Sequence, residues 1–383
     1  MTRIAKQRAP WTLPDPIRRR SWRLVRGAMV LLWALIGGAS AHADVAEIYR
    51  GKTISLVVNF TSGGPTDTEA RILARHLGKH IPGEPTIVVR NMGGAGGMIG
   101  ANWIGQVAPR DGLTLGYLTA LAVGAAQGNP ALKIDPTTLP FISGVESVSV
   151  YYGRTDTGAG LLKPEDILSK KDFWVGGLTP DSSKDINLRA ELELLGVSHK
   201  YISGYPGAAE VRMALEKNEV QVTSESLPTF RMSINPALVQ TGKAIPLWYD
   251  TSRKFWDKGH PDAIATGAMP FAMFYRKMKG EPPDTPLWRM NALVAEFSTS
   301  LLRTIHLPPN PPPGTLEAMR KAVGAMAQDT DYRAEAEQGL KFVPGFSLGP
   351  EAEEIFLSSA RVDPEMSALI RSYVEKGYAM IGK

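Results

Sequence analysis

The sequence predicts an α/β protein in which a parallel sheet is covered by helices, and three observations carry that expectation. From Thr53 onward, apolar strand-like runs alternate with amphipathic helical runs in a βαβαβ order. Two glycine-rich turns each follow a buried strand and open a helix. A second strand–helix alternation begins at Phe173. Parallel neighbours require right-handed crossovers, and ligands of such sheets gather at the carboxyl ends of the strands, where both glycine turns fall.

The elements follow in order. Ile54 to Phe60 is an apolar, β-branched run that reads as a buried strand. After the turn Thr61-Ser62-Gly63-Gly64-Pro65-Thr66-Asp67, the residues Ala70, Leu73, Ala74 and Leu77 recur at helical spacing and mark a helix ending near Gly78. Thr86 to Arg90 is the second strand, Asn91 to Gly97 a glycine loop, Met98 to Val107 the second helix and Leu113 to Leu118 the third strand. Val148 to Tyr152 and Phe173 to Gly177 read as further strands, with helices near Ile186 to Leu195 and Ala208 to Lys217, separated by the breaker Gly204-Tyr205-Pro206-Gly207. Ala244 to Tyr249 is a strand before Pro-rich segments at Glu281-Pro282-Pro283 and Leu307 to Gly314. The remainder reads as helical: Leu316, Met319, Val323 and Met326 form a stripe, and Asp363-Pro364 is a cap and first-turn pair.

At 383 residues the chain can hold two or three domains with real cores. Zero Cys excludes disulfides, thiolate metal sites and cysteine nucleophiles. The formal charge of +5 belongs to the front of the chain. Eight of the 43 basic residues but only one of the 38 acidic ones lie in residues 1–43, and the rest carries 35 against 37, which removes the case for a nucleic-acid partner. That front has the parts of a secretory signal: a basic segment ending at Arg26, an apolar run from Ala28 to Ile36 and the small-residue exit Ser40-Ala41-His42-Ala43. The run is too short for a permanent span. Cleavage near Ala43 and an extracytoplasmic mature chain are expected. Arg19-Arg20-Ser21-Trp22-Arg23 loosely resembles a twin-arginine signal, so Sec and twin-arginine export both stay open.

The two glycine turns carry the functional reading. Glycine lets a ligand approach the main chain, and the amides at the start of the following helix favour an anion. Gly63 and Gly64 form one such turn; Gly93, Gly94, Gly96 and Gly97 form the other at the neighbouring strand end. The plainer alternative is that these glycines only permit tight turns. Asp67 reads as a helix cap with Thr66, or as a ligand contact. Dinucleotide binding fails, because the third glycine of the fingerprint would fall on Ile99; Gly51-Lys52-Thr53 lacks the glycine a phosphate loop needs at Ala46. His76 and His80 lack the glutamate of a zinc motif and read as part of a basic helix face with Arg75 and Lys79. No metal, cofactor or catalytic motif is expected, although a dispersed site built on Ser182 or Ser224 with His199 would make the chain an extracytoplasmic hydrolase.

These residues carry a family likeness. Phe60-x-x-Gly63-Gly64-x-x-Asp67 before Ala70-Arg71, Val88-Val89-x-Asn91-x-x-Gly94-Ala95-Gly96-Gly97, and Ala108-Pro109-x-Asp111-Gly112 resemble the periplasmic substrate-binding receptors of tripartite tricarboxylate transporters, the Bug family. Gly204-Tyr205-x-Gly207-x-x-Glu210, Ala214-Leu215, Asn218-Glu219-Val220 and Asp331-Tyr332-Arg333-Ala334-Glu335-Ala336 continue the likeness across the mature chain. The resemblance implies a two-lobed periplasmic binding protein of the type II, flytrap kind, each lobe a sheet flanked by helices, joined by hinge strands near Val148 to Tyr152 and Ala244 to Tyr249. Residues 44–147 plus 245–383 would form lobe 1 and 148–244 lobe 2. It further implies a monomeric periplasmic receptor without catalytic activity, which holds a small carboxylate and hands it to membrane permease subunits. By position, Thr61, Ser62, Gly63, Gly64 and Asp67 form the first binding loop and Gly93, Gly94, Ala95 and Gly96 the second, opposed by Thr179, Ser182 and Ser183, with Tyr205 or Ser224 at the distal end. Thr61-Ser62 and Gly93 stand where the family often carries proline, so the ligand's identity stays open, as does a sensor kinase in place of a permease.

Overall fold

The computed structural model describes residues 40–157, 160–205 and 207–381. The expected signal therefore lies outside the described residues except for 40–43, which open helix α1 (Ser40–Tyr49). Two six-stranded sheets organise the rest. In the first, β1 (Thr53–Val58) lies between β2 (Thr86–Asn91) and β3 (Thr114–Thr119), parallel to both. The sheet continues through β11 (Arg303–His306), β4 (Phe141–Val145) and β12 (Phe346–Ser347), in the order β12-β4-β11-β3-β1-β2. The second has the order β10-β9-β5-β8-β6-β7, from β5 (Ser149–Arg154), β6 (Phe173–Gly176), β7 (His199–Ile202), β8 (Val222–Ser226), β9 (Ala244–Asp250) and β10 (Met269–Pro270).

Both sheets are mixed rather than parallel: β11 runs antiparallel to β3 and β4, and β5 antiparallel to β8 and β9. Because β11 opposes both neighbours, the carboxyl end of β4 lies at the same edge as the tips of β1, β2 and β3. The expected return to the first lobe at residue 245 is corrected. β9 and β10 belong to the second sheet, and the chain rejoins the first only at β11. Six of the seven residues of β9 pair with β5, so the strand cannot leave with the other half.

The predicted helices are present as α2 (Pro65–Leu77), α3 (Met98–Gln106), α5 (Ser183–Leu194), α6 (Ala208–Glu216), α9 (Thr315–Gln328) and α12 (Pro364–Met380), and α10 (Thr330–Leu340) and α11 (Gly349–Ser359) lie in the last segment, which reads as helical as a whole. Helices α4 (Leu121–Ala126), α7 (Phe271–Lys279) and α8 (Pro286–Ser300) and a π-helical stretch at Phe230–Val239 were not expected. Asp363 caps α12 by accepting the Met366 N–H at 2.8 Å, as its sequence position predicts. Met319, Val323 and Met326 of the α9 stripe enter a core with Leu56, Val58, Leu73 and Leu115 on one face of the first sheet. The core on the opposite face joins Val57, Ile104, Leu118 and Phe141 to Val294 and Phe297 of α8, Ile370 of α12, and Ile186 and Ala190 of α5. It therefore spans elements that flank both sheets. His76 of α2 and His80 of the 3-10 turn that follows it reach across to Glu335 (2.6 Å) and Asp329 (2.8 Å) at α10, so they tie two helical segments together. Among the described residues no helix is long and apolar enough to cross a membrane.

Candidate functional site

The register of β1 and β2 runs from Thr53 opposite Thr86 to Val58 opposite Asn91, so both strands end level and release their glycine loops side by side. The loops touch: a Cβ on Gly93 would stand 3.2 Å from the Thr61 main-chain nitrogen and side chain. Thr61, Ser62, Gly63, Gly94, Ala95 and Gly96 are exposed, and Gly64 and Gly93 are half-buried. The structure thus brings all eight predicted main-chain positions to one sheet edge. In the first loop Gly63 is left-handed (φ +82°) and Gly64 is extended, capping α2, with Pro65 in the first turn where its missing N–H is harmless. The second loop keeps positive φ from Gly94 through Gly97, including the non-glycine Ala95 at +48°. A side chain on Gly97 would strike Asn59, 2.4 Å away.

The cap reading of Asp67 is corrected: Gly64, not Asp67, is the helix cap, and the Asp67 carboxylate bonds within the loops. It is 3% exposed, and its oxygens accept from the Gly63 N–H (2.9 Å), Arg71 Nε (2.9 Å) and Asn91 Nδ2 (2.9 Å). Burial alone would raise its pKa, but the hydrogen bonds from Arg71, Gly63 and Asn91 outweigh burial and hold the carboxyl at about 2. With its acceptors spent, Asp67 latches the two loops together. Asn91 helps by donating to the Phe60 carbonyl at 3.0 Å.

The residue that sequence reasoning missed is Asn59. It is fully buried, donates from Nδ2 to the carbonyls of Gly97 (3.0 Å) and Thr119 (2.9 Å), and accepts the Thr119 N–H on Oδ1 (2.8 Å). One amide side chain thereby pins the tips of β1 and β3 to the exit of the second glycine loop. The only signal was a polar residue closing an otherwise apolar strand.

On the second sheet, Thr179, Ser182 and Ser183 lie together in the loop between β6 and α5. Thr179 is exposed and donates its N–H to Asp185 Oδ2 (3.0 Å), while Ser182 is half-buried and its N–H bonds the Thr179 carbonyl (2.9 Å). Burial raises the Asp185 carboxyl to about 6, against the lowering effect of its neighbours, among them Tyr201, which donates to it. Tyr205 follows β7 and is half-buried against the core of Tyr152 and Phe230; Ser224 is buried in β8. This loop meets the first half through Gln127, whose Nε2 donates to the Asp181 carbonyl (3.2 Å). No described contact joins residues 179–183 to the glycine loops. A cavity of about 520 Å³ is lined by Glu146, Arg253, Lys254, Glu296, Phe297 and neighbours and includes none of the predicted site residues. Among the described hydrogen bonds His199 joins neither Ser182 nor Ser224: its Nδ1 meets the Val197 carbonyl at 3.2 Å, and it pairs with Phe173 at the start of β6 and β7, whereas Ser182 follows their carboxyl ends.

No family model matches the chain. Among curated proteins, BugT of Bordetella pertussis is 41% identical over 92 residues, 23% of this chain and 27% of that protein. A UPF0065 protein from the gbd 5' region of Cupriavidus necator is 37% identical over 144 residues, 37% of this chain and 40% of that protein. The chain thus matches well under two thirds of the length of these curated relatives. Solved structures match over far more of it. A TctC solute-binding protein from Polaromonas aligns with TM-score 0.60 at 20% identity, covering 86% of this chain and 99% of that one. MatC from Rhodopseudomonas palustris, with bound malate, gives 0.54 at 19% identity, covering 85% and 100%. A second R. palustris protein, with adipate, gives 0.55 at 19% identity, covering 86% and 97%. The fold is that of the periplasmic solute-binding proteins, and the Bug resemblance read from the sequence recurs in the names of its homologues.

Proposed function

We propose that the chain is an extracytoplasmic solute receptor which captures a small carboxylate between two lobes, closes by hinge motion and presents the ligand to the permease of a tripartite transporter. In this reading it is a periplasmic monomer released by cleavage near Ala43 and has no catalytic activity. The first lobe is built on β1–β4, β11 and β12, the second on β5–β10, and the links after β4 and β10 are the hinge. The observation that carries the reading is the pair of exposed glycine tips, level and touching on one sheet edge. Main-chain amides there suit a carboxylate, and hydrogen bonds to a charged group contribute about 1.5–3 kcal/mol each, enough for micromolar binding (about −8 kcal/mol) after association costs. Thr61, Ser62, Gly63, Gly64, Gly93, Gly94, Ala95 and Gly96 would hold the carboxylate, and Thr179, Ser182, Ser183 and Tyr205 would reach the ligand's far end on closure. Structures of like fold hold malate and adipate, which agrees with that ligand class.

A thermal-shift panel of carboxylic acids tests it. The wild-type chain should be stabilised by at least one acid. Replacing Gly64 and Gly96 together with Val should abolish the shift: a Cβ on Gly64 meets nothing closer than 3.9 Å, while Val at Gly96 (φ +62°) has room but a strained backbone, so circular dichroism must first show that the variant is folded. An undiminished shift in the folded variant refutes the site.

A further inference from the structure

We propose that Thr119, at the tip of β3, is a third contact on the ligand carboxylate, its hydroxyl turned outward by a hydrogen-bonded chain that begins at the buried Arg303. The inference rests on the receptor reading above. Strand β3 lies beside β1 on the side away from β2, with Val58 opposite Tyr117, so Thr119 stands level with Phe60 at the mouth of the first glycine turn. Asn59 holds its main chain from both sides. Unlike the residues beneath it, Thr119 is half-exposed.

Arg303 faces Thr119 across the β11–β3 pair. Its side chain is 10% exposed and ion-paired to Glu69 at 3.2 Å, and Glu69 also accepts from the Tyr117 hydroxyl. Arg303 Nε lies 3.3 Å from Thr66 Oγ1, which lies 3.2 Å from Thr119 Oγ1. Guanidinium only donates, so Thr66 must accept there, and each hydroxyl has a single proton to give. When Thr66 donates to Thr119, the Thr119 proton is free to point at an anion. A negative oxygen in the cleft selects that direction, because every bond in the chain then aligns with the charge. Glu69 cancels the net charge of Arg303, so the tip receives an aligned donor rather than a cation. Such a donor bonds a carboxylate more strongly than the matching amide.

Calorimetric titration of the full chain with malate, adipate and short monocarboxylates tests this. For any acid the wild type binds, Thr119→Val should weaken binding about tenfold, the equivalent of about 1.4 kcal/mol, and Thr119→Ser should restore it to within about threefold. Thr66→Val leaves Thr119 in place but breaks the chain, and should forfeit most of the same factor. Affinity within about twofold of wild type in Thr119→Val overturns the contact; an unchanged Thr66→Val overturns the relay. A Thr119→Val loss that tracks a fall in melting temperature and is not recovered by serine marks a structural role and also overturns it. A wild type that binds none of the acids removes the receptor reading itself, which separates that failure from this one.

Discussion

Asn59 shows how one side chain sets the shape of a site it does not line. Its amide closes three hydrogen bonds in a fully buried position, and Gly97 and Gly100 are packed so closely on it that a Cβ at either would stand within 2.8 Å of its atoms. Removing it leaves the Thr119 N–H and two carbonyls short of partners in a dry place, where each lost bond costs about 1–3 kcal/mol. Asn59→Ala should therefore lower unfolding stability by about 2–4 kcal/mol in urea titration; a change below about 1 kcal/mol would show that water replaces the amide. The glycines were legible because their backbone role survives in any context. Asn59 was not, since a single polar residue after an apolar strand has no pattern, and its meaning comes from strands 38 and 60 residues away.

Among the elements, helix α5 departs furthest from its sequence. Asp185, Asn187, Arg189 and Glu191 are polar residues that would ordinarily face water, yet all four are buried, because sheet strands lie on one side and α8 and α12 on the other. Their polarity is absorbed internally. Asp250, at the end of β9, accepts from Tyr151 (2.5 Å) and Asn187 (2.7 Å), and Glu191 accepts from Trp248 Nε1 (2.6 Å) and Asn291 (3.3 Å). Burial pushes both carboxyls up, Glu191 further because of the Asp250 charge. A carboxyl whose folded pKa lies above its unfolded value of about 4 holds more protons in the native state, and stability declines as pH rises from that value toward the folded one. The urea midpoint should fall as pH rises above the unfolded value of about 4, and Glu191→Gln should flatten that slope. An equally steep slope in the variant would place the titration elsewhere. The short strands β4, β7, β8 and β11 escaped the sequence reading for a related reason: four or five residues carry too little periodicity, and Arg303 to His306 is buried throughout despite its polar letters.

Across the whole molecule, the two sheets share more than a hinge. Helix α12 donates from Ser367 to the Ala126 carbonyl (2.8 Å) and from Arg371 to that of Gln127 (3.1 Å), while its Tyr373 carbonyl accepts from Arg189, which also holds the Pro180 carbonyl at 2.8 Å. With the core that joins α5 to α8 and α12, this predicts one cooperative thermal transition in calorimetry. Two resolved transitions would mean the halves melt independently. The two-lobed plan was legible from the alternation and the family likeness, but the residue-245 boundary was not, because β9 looks the same in sequence whichever sheet it joins.

The placement of the aromatic residues has an optical consequence. Trp248 stacks on Phe274 (5.2 Å between centroids), and Trp256 and Trp288 lie 6.2 Å apart in the same neighbourhood, immediately around the segment that leaves β9. Ultraviolet emission excited from these indoles would report on the packing of the second sheet against α7 and α8, so a rearrangement there could be followed in unlabelled protein, whereas occupancy of the glycine tips without such a rearrangement would leave the signal of this cluster unchanged.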